Sequence, residues 1–200
     1  MNTITINLYS FNELSKEVQN KVIEKERDSK YENGDLLYFF KDYCIEQAKD
    51  KGFEDIILQY SLSYFQGDGL SFSAQKFTKL EELFNEVLGA GKQKTAKLLA
   101  ENCTVIMKGN NGRYCYASKS DIDLYIENYT SSINVTSTNN INEVVGKVLE
   151  KLEDIYMDLC EELERTGYAD IEYETSDEAI IETIEANDYT FEENGTLRNA

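Results

Sequence analysis

The sequence predicts an α+β fold, with an antiparallel sheet, helices packed on one face of it and a long acidic C-terminal helix. The first observation is residues 55–74, in which two alternating apolar and polar runs are joined by Gln-Gly-Asp-Gly at residues 66–69. Such alternation around a glycine-containing connection is typical of a β-hairpin. The second is that helical patterns come between hairpins instead of alternating with single strands, which favours antiparallel pairing.

The N-terminal part is predicted to form one strand and two helices. Apolar residues alternate over residues 3–9, which is the pattern of a strand, and Ser10 and Glu13 have the spacing of a capping box. Apolar residues then recur at helical spacing, which predicts helices over residues 16–27 and 36–51.

The predicted hairpin has one buried face. Along its first strand, apolar and aromatic residues recur with a period of two at Ile56, Leu58, Tyr60, Leu62 and Tyr64. Leu70 and Phe72 resume this alternation on the return strand. Gly67 and Gly69 permit the positive φ angles of a tight connection. Asp68 between them is typical of a turn, and at a hairpin tip it is also a candidate contact residue.

Two helices and three strands are predicted after the hairpin. The helices cover residues 76–88 and 95–102, where apolar residues return to helical spacing. The strands cover residues 103–108, 113–117 and 121–129. A Gly-Asn-Asn-Gly turn separates the first two strands and predicts that they form a second hairpin.

The polar segment 130–140 is the predicted boundary between two parts of the chain. It contains no aromatic residue and follows an α+β core domain over residues 1–129. After it, residues 141–200 form an acidic helical C-terminal part, predicted to pack on the core. The longest helix is predicted over residues 141–166, with Gly167 as its end.

Composition excludes several kinds of active site. The chain of 200 residues contains no histidine, which excludes serine and cysteine triads that use an imidazole base. Its cysteines are far apart and form no zinc-binding pair: Cys44, Cys103, Cys115 and Cys160. We therefore expect buried thiols, no metal, no cofactor and no catalytic activity.

A Mg²⁺-dependent nuclease is the enzymatic alternative. Carboxylates are the ligands that such a site would use, and three acids stand in suggestive positions: Asp68, Asp121 and Asp123.

The charge is large and unevenly distributed. Lys and Arg number 20 against 38 Asp and Glu, so the net charge is −18. Residues 150–200 carry 17 of the acids against only Lys151, Arg165 and Arg198. We expect such a chain not to bind nucleic acid by itself, because nonspecific affinity comes from Lys and Arg that displace counterions from phosphates.

The predicted long helix carries most of its acids without basic neighbours. Like charges four residues apart, such as Glu150 and Asp154 or Asp158 and Glu162, repel one another on a helix. The candidate partner-binding residues are these acids and the hairpin aspartate: Glu150, Glu153, Asp154, Asp158, Glu161, Glu162 and Asp68. Their density favours mimicry of nucleic acid, with a solubility role and another basic partner as alternatives.

Three sequence blocks carry a resemblance that extends over nearly the whole chain. They are Phe-Asn-Glu-Leu-Ser at residues 11–15, Tyr-Ser-Leu-Ser-Tyr-Phe-Gln-Gly-Asp-Gly at residues 60–69 and Glu-Ala-Asn-Asp-Tyr-Thr-Phe at residues 185–191. In these blocks the chain resembles a group of small acidic proteins from phages and prophages. That group is similar to some anti-CRISPR inhibitors, which act on RNA-guided nucleases.

The resemblance and the charge together imply an anti-defence inhibitor that binds a basic nucleic-acid-binding surface of a host nuclease. We expect it in the cytoplasm of the bacterial host, because the first ten residues lack the basic start and apolar core of a signal peptide and no segment is apolar enough to span a membrane. An antitoxin-like or regulatory protein-binding module is the alternative, and it would bind through apolar helix faces more than through charge.

Overall fold

The computed structural model describes residues 6–33, 36–109, 114–126 and 138–199. Within these ranges the α-helices are α1 (Lys16–Asn33), α2 (Phe40–Lys51), α3 (Leu80–Leu88), α4 (Gln93–Glu101), α5 (Thr138–Glu174) and α6 (Asp177–Ala186). The strands are β1 (Tyr9–Ser10), β2 (Phe53–Glu54), β3 (Ile57–Ser61), β4 (Gly69–Ser73), β5 (Lys76–Phe77), β6 (Cys103–Lys108), β7 (Asp121–Ile126), β8 (Thr190–Phe191) and β9 (Leu197–Asn199). Short 3-10 turns cover Phe11–Glu13 and Ala117–Lys119.

The α+β class and the long C-terminal helix are confirmed. Every strand pair of the described residues is antiparallel. The strands are shared among small sheets, in the orders β1-β8-β9, β2-β5, β3-β4 and β6-β7.

The chain divides into two compact units at positions other than the predicted boundary. The terminal unit comprises Met1–Tyr38 and Tyr168–Ala200, and the central unit comprises Phe39–Gly167. Of the predicted linker, residues 130–137 lie outside the described residues, and residues 138–140 belong to α5. The central unit therefore takes in most of α5 together with the predicted core from residue 39 onward, whereas residues 1–38 of that predicted core belong to the terminal unit.

The terminal unit brings the two ends of the chain together. β8 pairs with both β1 and β9, which joins Tyr9 to Phe191 across the first ladder. Its core contains seven buried residues: Phe11, Leu14, Val22, Ile23, Ile180, Ile184 and Phe191. Asn12 Nδ2 donates to Glu185 Oε1 at 2.8 Å, so the first and third blocks of the resemblance meet in this unit.

The small sheets of the central unit are connected by one residue. Ala74 lies between β4 and β5, and it exchanges backbone hydrogen bonds of 3.2 and 3.3 Å with Met107 of β6. Asp55 lies between β2 and β3 and has a positive φ of 55°, which separates these two strands from each other. The result is an irregular antiparallel arrangement in the order β2/β3, β4/β5, β6, β7.

The predicted hairpin forms, but with a longer loop than its sequence indicates. β3 ends at Ser61, so residues 62–68 form the connection and Tyr64 is exposed instead of buried. On the return strand, Leu70 and Phe72 are fully buried as predicted. Tyr64 has a φ of 60°, which is incompatible with a strand, so β3 does not extend as far as the sequence alternation does.

Two N-terminal predictions need correction. Residues 6–8 are not in a strand, and only Tyr9–Ser10 pairs with a neighbour; residues 3–5 lie outside the described residues. The capping box does form, because Glu13 Oε2 accepts from Ser10 N at 2.8 Å, but it begins a single 3-10 turn. The helices also differ in extent, since α1 continues to Asn33 and α2 begins at Phe40.

The pairing partner of β6 is β7, so the prediction of a second hairpin with residues 113–117 was wrong. β6 and β7 pair over six residues, from Cys103 with Ile126 to Lys108 with Asp121. Residues 110–113, which contain most of the predicted turn, and residues 127–129 lie outside the described residues. The predicted helix start at Lys76 is instead strand β5, because Phe77 pairs with Phe53 and the two rings lie 5.0 Å apart.

Helix α5 continues to Glu174, so Gly167 does not end it. A Cβ atom at Gly167 would lie 2.4 Å from Leu62 Cδ1 and 2.7 Å from Phe40 Cζ. Glycine is therefore needed at this position because two buried side chains pack directly against the helix backbone.

Gly146 provides a matched comparison in the same helix, because no atom lies within 4 Å of the Cβ that an alanine would add there. We expect Gly146→Ala to raise the free energy of unfolding by about 0.5–1 kcal/mol through helix propensity. Gly167→Ala should instead lower it by about 1 kcal/mol, since overpacking exceeds the propensity gain. Urea denaturation of both variants measures the difference, and stabilisation of equal size at both positions would contradict close packing at Gly167.

Candidate functional site

Except for Asp68, the acids predicted to bind a partner form one exposed face of α5. We call this set the acidic face, and its members are all exposed: Glu150, Glu153, Asp154, Asp158, Glu161 and Glu162. The opposite side of the helix is buried in the central unit through Val148, Leu152, Tyr156, Leu159 and Leu163. Helical periodicity thus separates the carboxylates from the core, because spacings of three and four residues keep each set on one side.

The acidic face is not neutralised by neighbouring bases. Among the described residues, the ion pairs on this part of α5 are Lys147 with Glu143 at 2.6 Å and Lys151 with Glu86 at 2.9 Å. Both lysines thus pair with acids outside the acidic face. The repulsion between its carboxylates is consequently relieved mainly by solvent and salt, with a weaker contribution from the charge of Lys147 near Glu150.

One edge of the acidic face borders a groove of mixed charge. Asp158 and Glu162 line this groove of about 280 Å³ together with residues of α3 and the lysines Lys51 and Lys79. Lys79 Nζ already donates to Asp50 O at 2.6 Å. Glu150, Asp154 and Glu161 lie on the part of the acidic face that does not line this groove.

Carboxylates also crowd together where α5 approaches the hairpin loop. Partial burial raises the pKa of Glu164, and the charges of Asp68 and Glu161 raise it further. These interactions place Glu161, Glu164 and Asp68 in one electrostatic neighbourhood.

Asp68 is engaged within its own loop. Its Oδ1 accepts from Ser61 Oγ at 2.7 Å, and its Oδ2 accepts from the backbone N–H groups of Ser63 at 2.6 Å and Phe65 at 2.9 Å. These contacts favour the turn interpretation of Asp68, because its acceptor sites hold the loop conformation.

The acids of the alternative magnesium site lie on different elements. Asp121 and Asp123 lie two residues apart on β7, whereas Asp68 lies in the loop between β3 and β4. Among the residues that the structure describes, no group of three metal-ligating side chains is assembled. Asp123 accepts a hydrogen bond from Tyr125, which raises the pKa of that phenol.

The cysteines are all free thiols in this structure. Cys44 and Cys160 are buried, and burial raises the pKa of Cys160 to about 12 and that of Cys103 to about 11. Such thiols are protonated and unreactive near neutral pH, because the thiolate is the nucleophilic form.

Sequence reasoning missed two features of this region. Tyr156, which was not among the residues of the predicted apolar helix face, is buried and hydrogen-bonds to the backbone of Phe72. Tyr64 was predicted on the buried face and no role was predicted for Phe65, yet both side chains are exposed in the hairpin loop. In the sequence, Gly67, Asp68 and Gly69 are the residues that indicate a connection longer than a two-residue turn.

Comparison of the chain with models of protein families finds no matching family. Comparisons with curated proteins and with solved structures find no match either. No helix within the described parts of the chain combines the length and apolar character needed to cross a membrane.

Proposed function

We propose that this protein is an anti-defence inhibitor of phage or mobile-element origin that binds a basic nucleic-acid-binding surface of a bacterial nuclease. The inhibitor acts by occupying that surface as a mimic of nucleic acid, and an RNA-guided nuclease is the partner that the sequence resemblance favours. It does so as a binding protein in the host cytoplasm, without catalysis and without binding nucleic acid itself.

The acidic face of α5 is the observation that carries the proposal. Its six carboxylates span residues 150–162, which corresponds to about 18 Å of helix rise. One charge per roughly 3 Å is close to the phosphate spacing of a single nucleic acid strand, about 3.4 Å. A groove that binds a phosphate backbone through Lys and Arg can therefore accept this helix face with similar charge spacing.

The rigidity of the face supports the same function. The residues between the acids are buried in the central unit, including Leu152, Tyr156 and Leu159. The carboxylates consequently keep a fixed register, and little ordering of the helix backbone is needed on binding. Long-range attraction between opposite charges would make association fast and sensitive to salt.

Capture from a bacterial lysate, followed by mass spectrometry and a cleavage assay, tests the proposal. We expect the immobilised protein to retain a nuclease, and to retain more of it after the lysate has been treated to degrade nucleic acid, which competes for the same groove. The complex should dissociate as salt rises from about 0.15 M to about 0.5 M, since exposed charges are then screened. The purified nuclease should be inhibited when free and resistant when already loaded with its nucleic acid.

Two results would contradict this function. One is capture of a partner that has no nucleic-acid-binding surface, through contacts that high salt leaves intact, as expected of the antitoxin-like alternative. The other is Mg²⁺-dependent cleavage of nucleic acid by the purified protein that is lost in Asp123→Ala.

A further inference from the structure

The loop between β3 and β4 presents two large aromatic side chains to solvent. Phe65 is 76% exposed and Tyr64 is 58% exposed, although neighbouring residues of the hairpin, Leu62 and Leu70, are buried. Adjacent exposed aromatic residues at the tip of an ordered loop are a common property of protein-binding sites, where they form energetic hot spots.

The loop is held in one conformation by its own contacts. The carboxylate of Asp68 binds the N–H groups of Ser63 and Phe65 and the hydroxyl of Ser61, at distances of 2.6 to 2.9 Å. Asp68 N donates in turn to Phe65 O at 3.1 Å. Because both backbone groups of Phe65 are fixed, the aromatic tip is ordered before any partner arrives.

A second aromatic pair, Tyr114 and Tyr116, packs against the loop at Gly67. The ring of Tyr114 lies so close to Gly67 that a Cβ there would be 2.1 Å from Tyr114 Cδ1. Tyr114 stacks on Tyr116 with ring centroids 5.6 Å apart, and Cys115 N donates to Gly67 O at 3.2 Å. Gly67 therefore has a packing role in addition to its turn role, and the loop rests on a neighbouring segment.

Carboxylates lie on the α5 side of the loop that carries the aromatic tip. Asp68 lies within the loop, and its charge acts on Glu164 of α5, as does that of Glu161. Leu62 of the same loop packs against Gly167 of α5, about one turn from Glu164, so the loop lies beside the C-terminal end of the acidic face. Guanidinium groups fit this combination best among protein side chains, because they stack on aromatic rings while donating hydrogen bonds to carboxylates.

We propose that Tyr64 and Phe65 form an anchor for arginine side chains of a basic protein partner, with Glu161 and Glu164 as the adjoining carboxylates. This proposal rests on the proposed function, since it names how the partner's basic surface is held beside α5. The aromatic anchor supplies selectivity for arginine over lysine, which charge alone does not provide.

Titration with oligoarginine and oligolysine peptides of equal length tests the anchor directly. We expect oligoarginine to bind more tightly than oligolysine, and Phe65→Ala to weaken oligoarginine binding about fivefold while leaving oligolysine binding nearly unchanged. Phe39→Ala is the matched control, because Phe39 is the same residue type, is 74% exposed and lies at the start of α2. Isothermal titration calorimetry gives the affinities, and urea denaturation checks that both variants fold alike.

Equal affinity of Phe65→Ala and the unaltered protein for oligoarginine would overturn the anchor. Tight binding of oligothymidylate that depends on Phe65 would also overturn it, since the tip would then stack bases instead of guanidinium groups. Both results are distinguishable from failure of the proposed function, because the peptides require no nuclease. If the unaltered protein binds oligoarginine selectively but does not inhibit a nuclease, the arginine anchor stands and only the proposed nuclease partner is rejected.

Discussion

Tyr156→Phe is expected to lower the free energy of unfolding of the central unit by about 3 kcal/mol, since it leaves two buried backbone groups without a partner. The hydroxyl of Tyr156 donates to Phe72 O at 2.8 Å and accepts from Phe72 N at 3.0 Å. Ser120 Oγ lies 2.8 Å from the hydroxyl oxygen of Tyr156. Because the single phenolic proton goes to Phe72 O, Ser120 must be the donor in that third contact.

The hydroxyl of Tyr156 occupies the position at which a neighbouring strand would hydrogen-bond to β4. Phe72 faces Leu58 of β3 on one side, and its N–H and C=O point to Tyr156 on the other. Two residues further on, Ala74 begins the pairing with β6. Tyr156 therefore completes the hydrogen bonding of β4 and fixes α5 to the sheet, and its ring packs 4.6 Å from that of Phe72.

Urea denaturation measures the loss of stability of Tyr156→Phe, and hydrogen exchange measures the loss of protection at individual amides. The amide of Phe72 should lose protection in Tyr156→Phe by more than other amides of β4, because its acceptor is removed. Tyr43→Phe is the control, since Tyr43 lies in the same unit and its side chain is partly exposed. A change below about 0.5 kcal/mol, equal to that of an ordinary surface substitution, would contradict this role of the hydroxyl.

The sequence predicted those elements in which local pattern and tertiary packing agree. The apolar periodicity of residues 141–166 identified Val148, Leu152, Leu159 and Leu163, all of which are buried in α5. Serine is a preferred N-cap residue, and Ser176 caps α6 in this way, since its Oγ accepts from Ala179 N at 3.2 Å. In these cases burial and hydrogen bonding are decided within a few residues of sequence.

Elements decided by distant contacts were not predictable in this way. Gly167 has the local signature of a helix end, but the small residue is required by Phe40 and Leu62, which are remote in sequence. The alternation of Tyr114 and Tyr116 resembles a strand, yet these rings stack on each other beside Gly67. Tertiary packing overrides local propensity at both places.

The candidate site was predictable in part. Helical spacing alone places the six acids on one side of α5, and the structure describes all of them as exposed. The internal role of Asp68 and the exposure of Phe65 depend on how residues 62–68 fold, which no periodic pattern encodes. Partner binding by the acidic face stays a prediction, and charge reversal is its most direct test.

Charge reversal of the acidic face is expected to abolish binding and inhibition of the nuclease. The variant combines Glu150→Lys, Asp154→Lys, Asp158→Lys and Glu161→Lys, at positions that are all exposed. Each change turns an attraction for a basic groove into a repulsion, so the loss should exceed about a hundredfold in affinity. The fold should persist, because lysine has a higher helix propensity than aspartate and none of these side chains contributes to the core.

A control set with the same change in net charge separates a local interface from a general charge effect. Asp42→Lys, Glu46→Lys, Asp50→Lys and Glu81→Lys alter exposed acids of α2 and α3 in the same unit. We expect this variant to keep most of its inhibition, since long-range attraction weakens while the acidic face stays intact. Equal loss in both variants would mean that net charge alone drives binding, and unchanged inhibition by the acidic-face variant would exclude α5 as the mimic of nucleic acid.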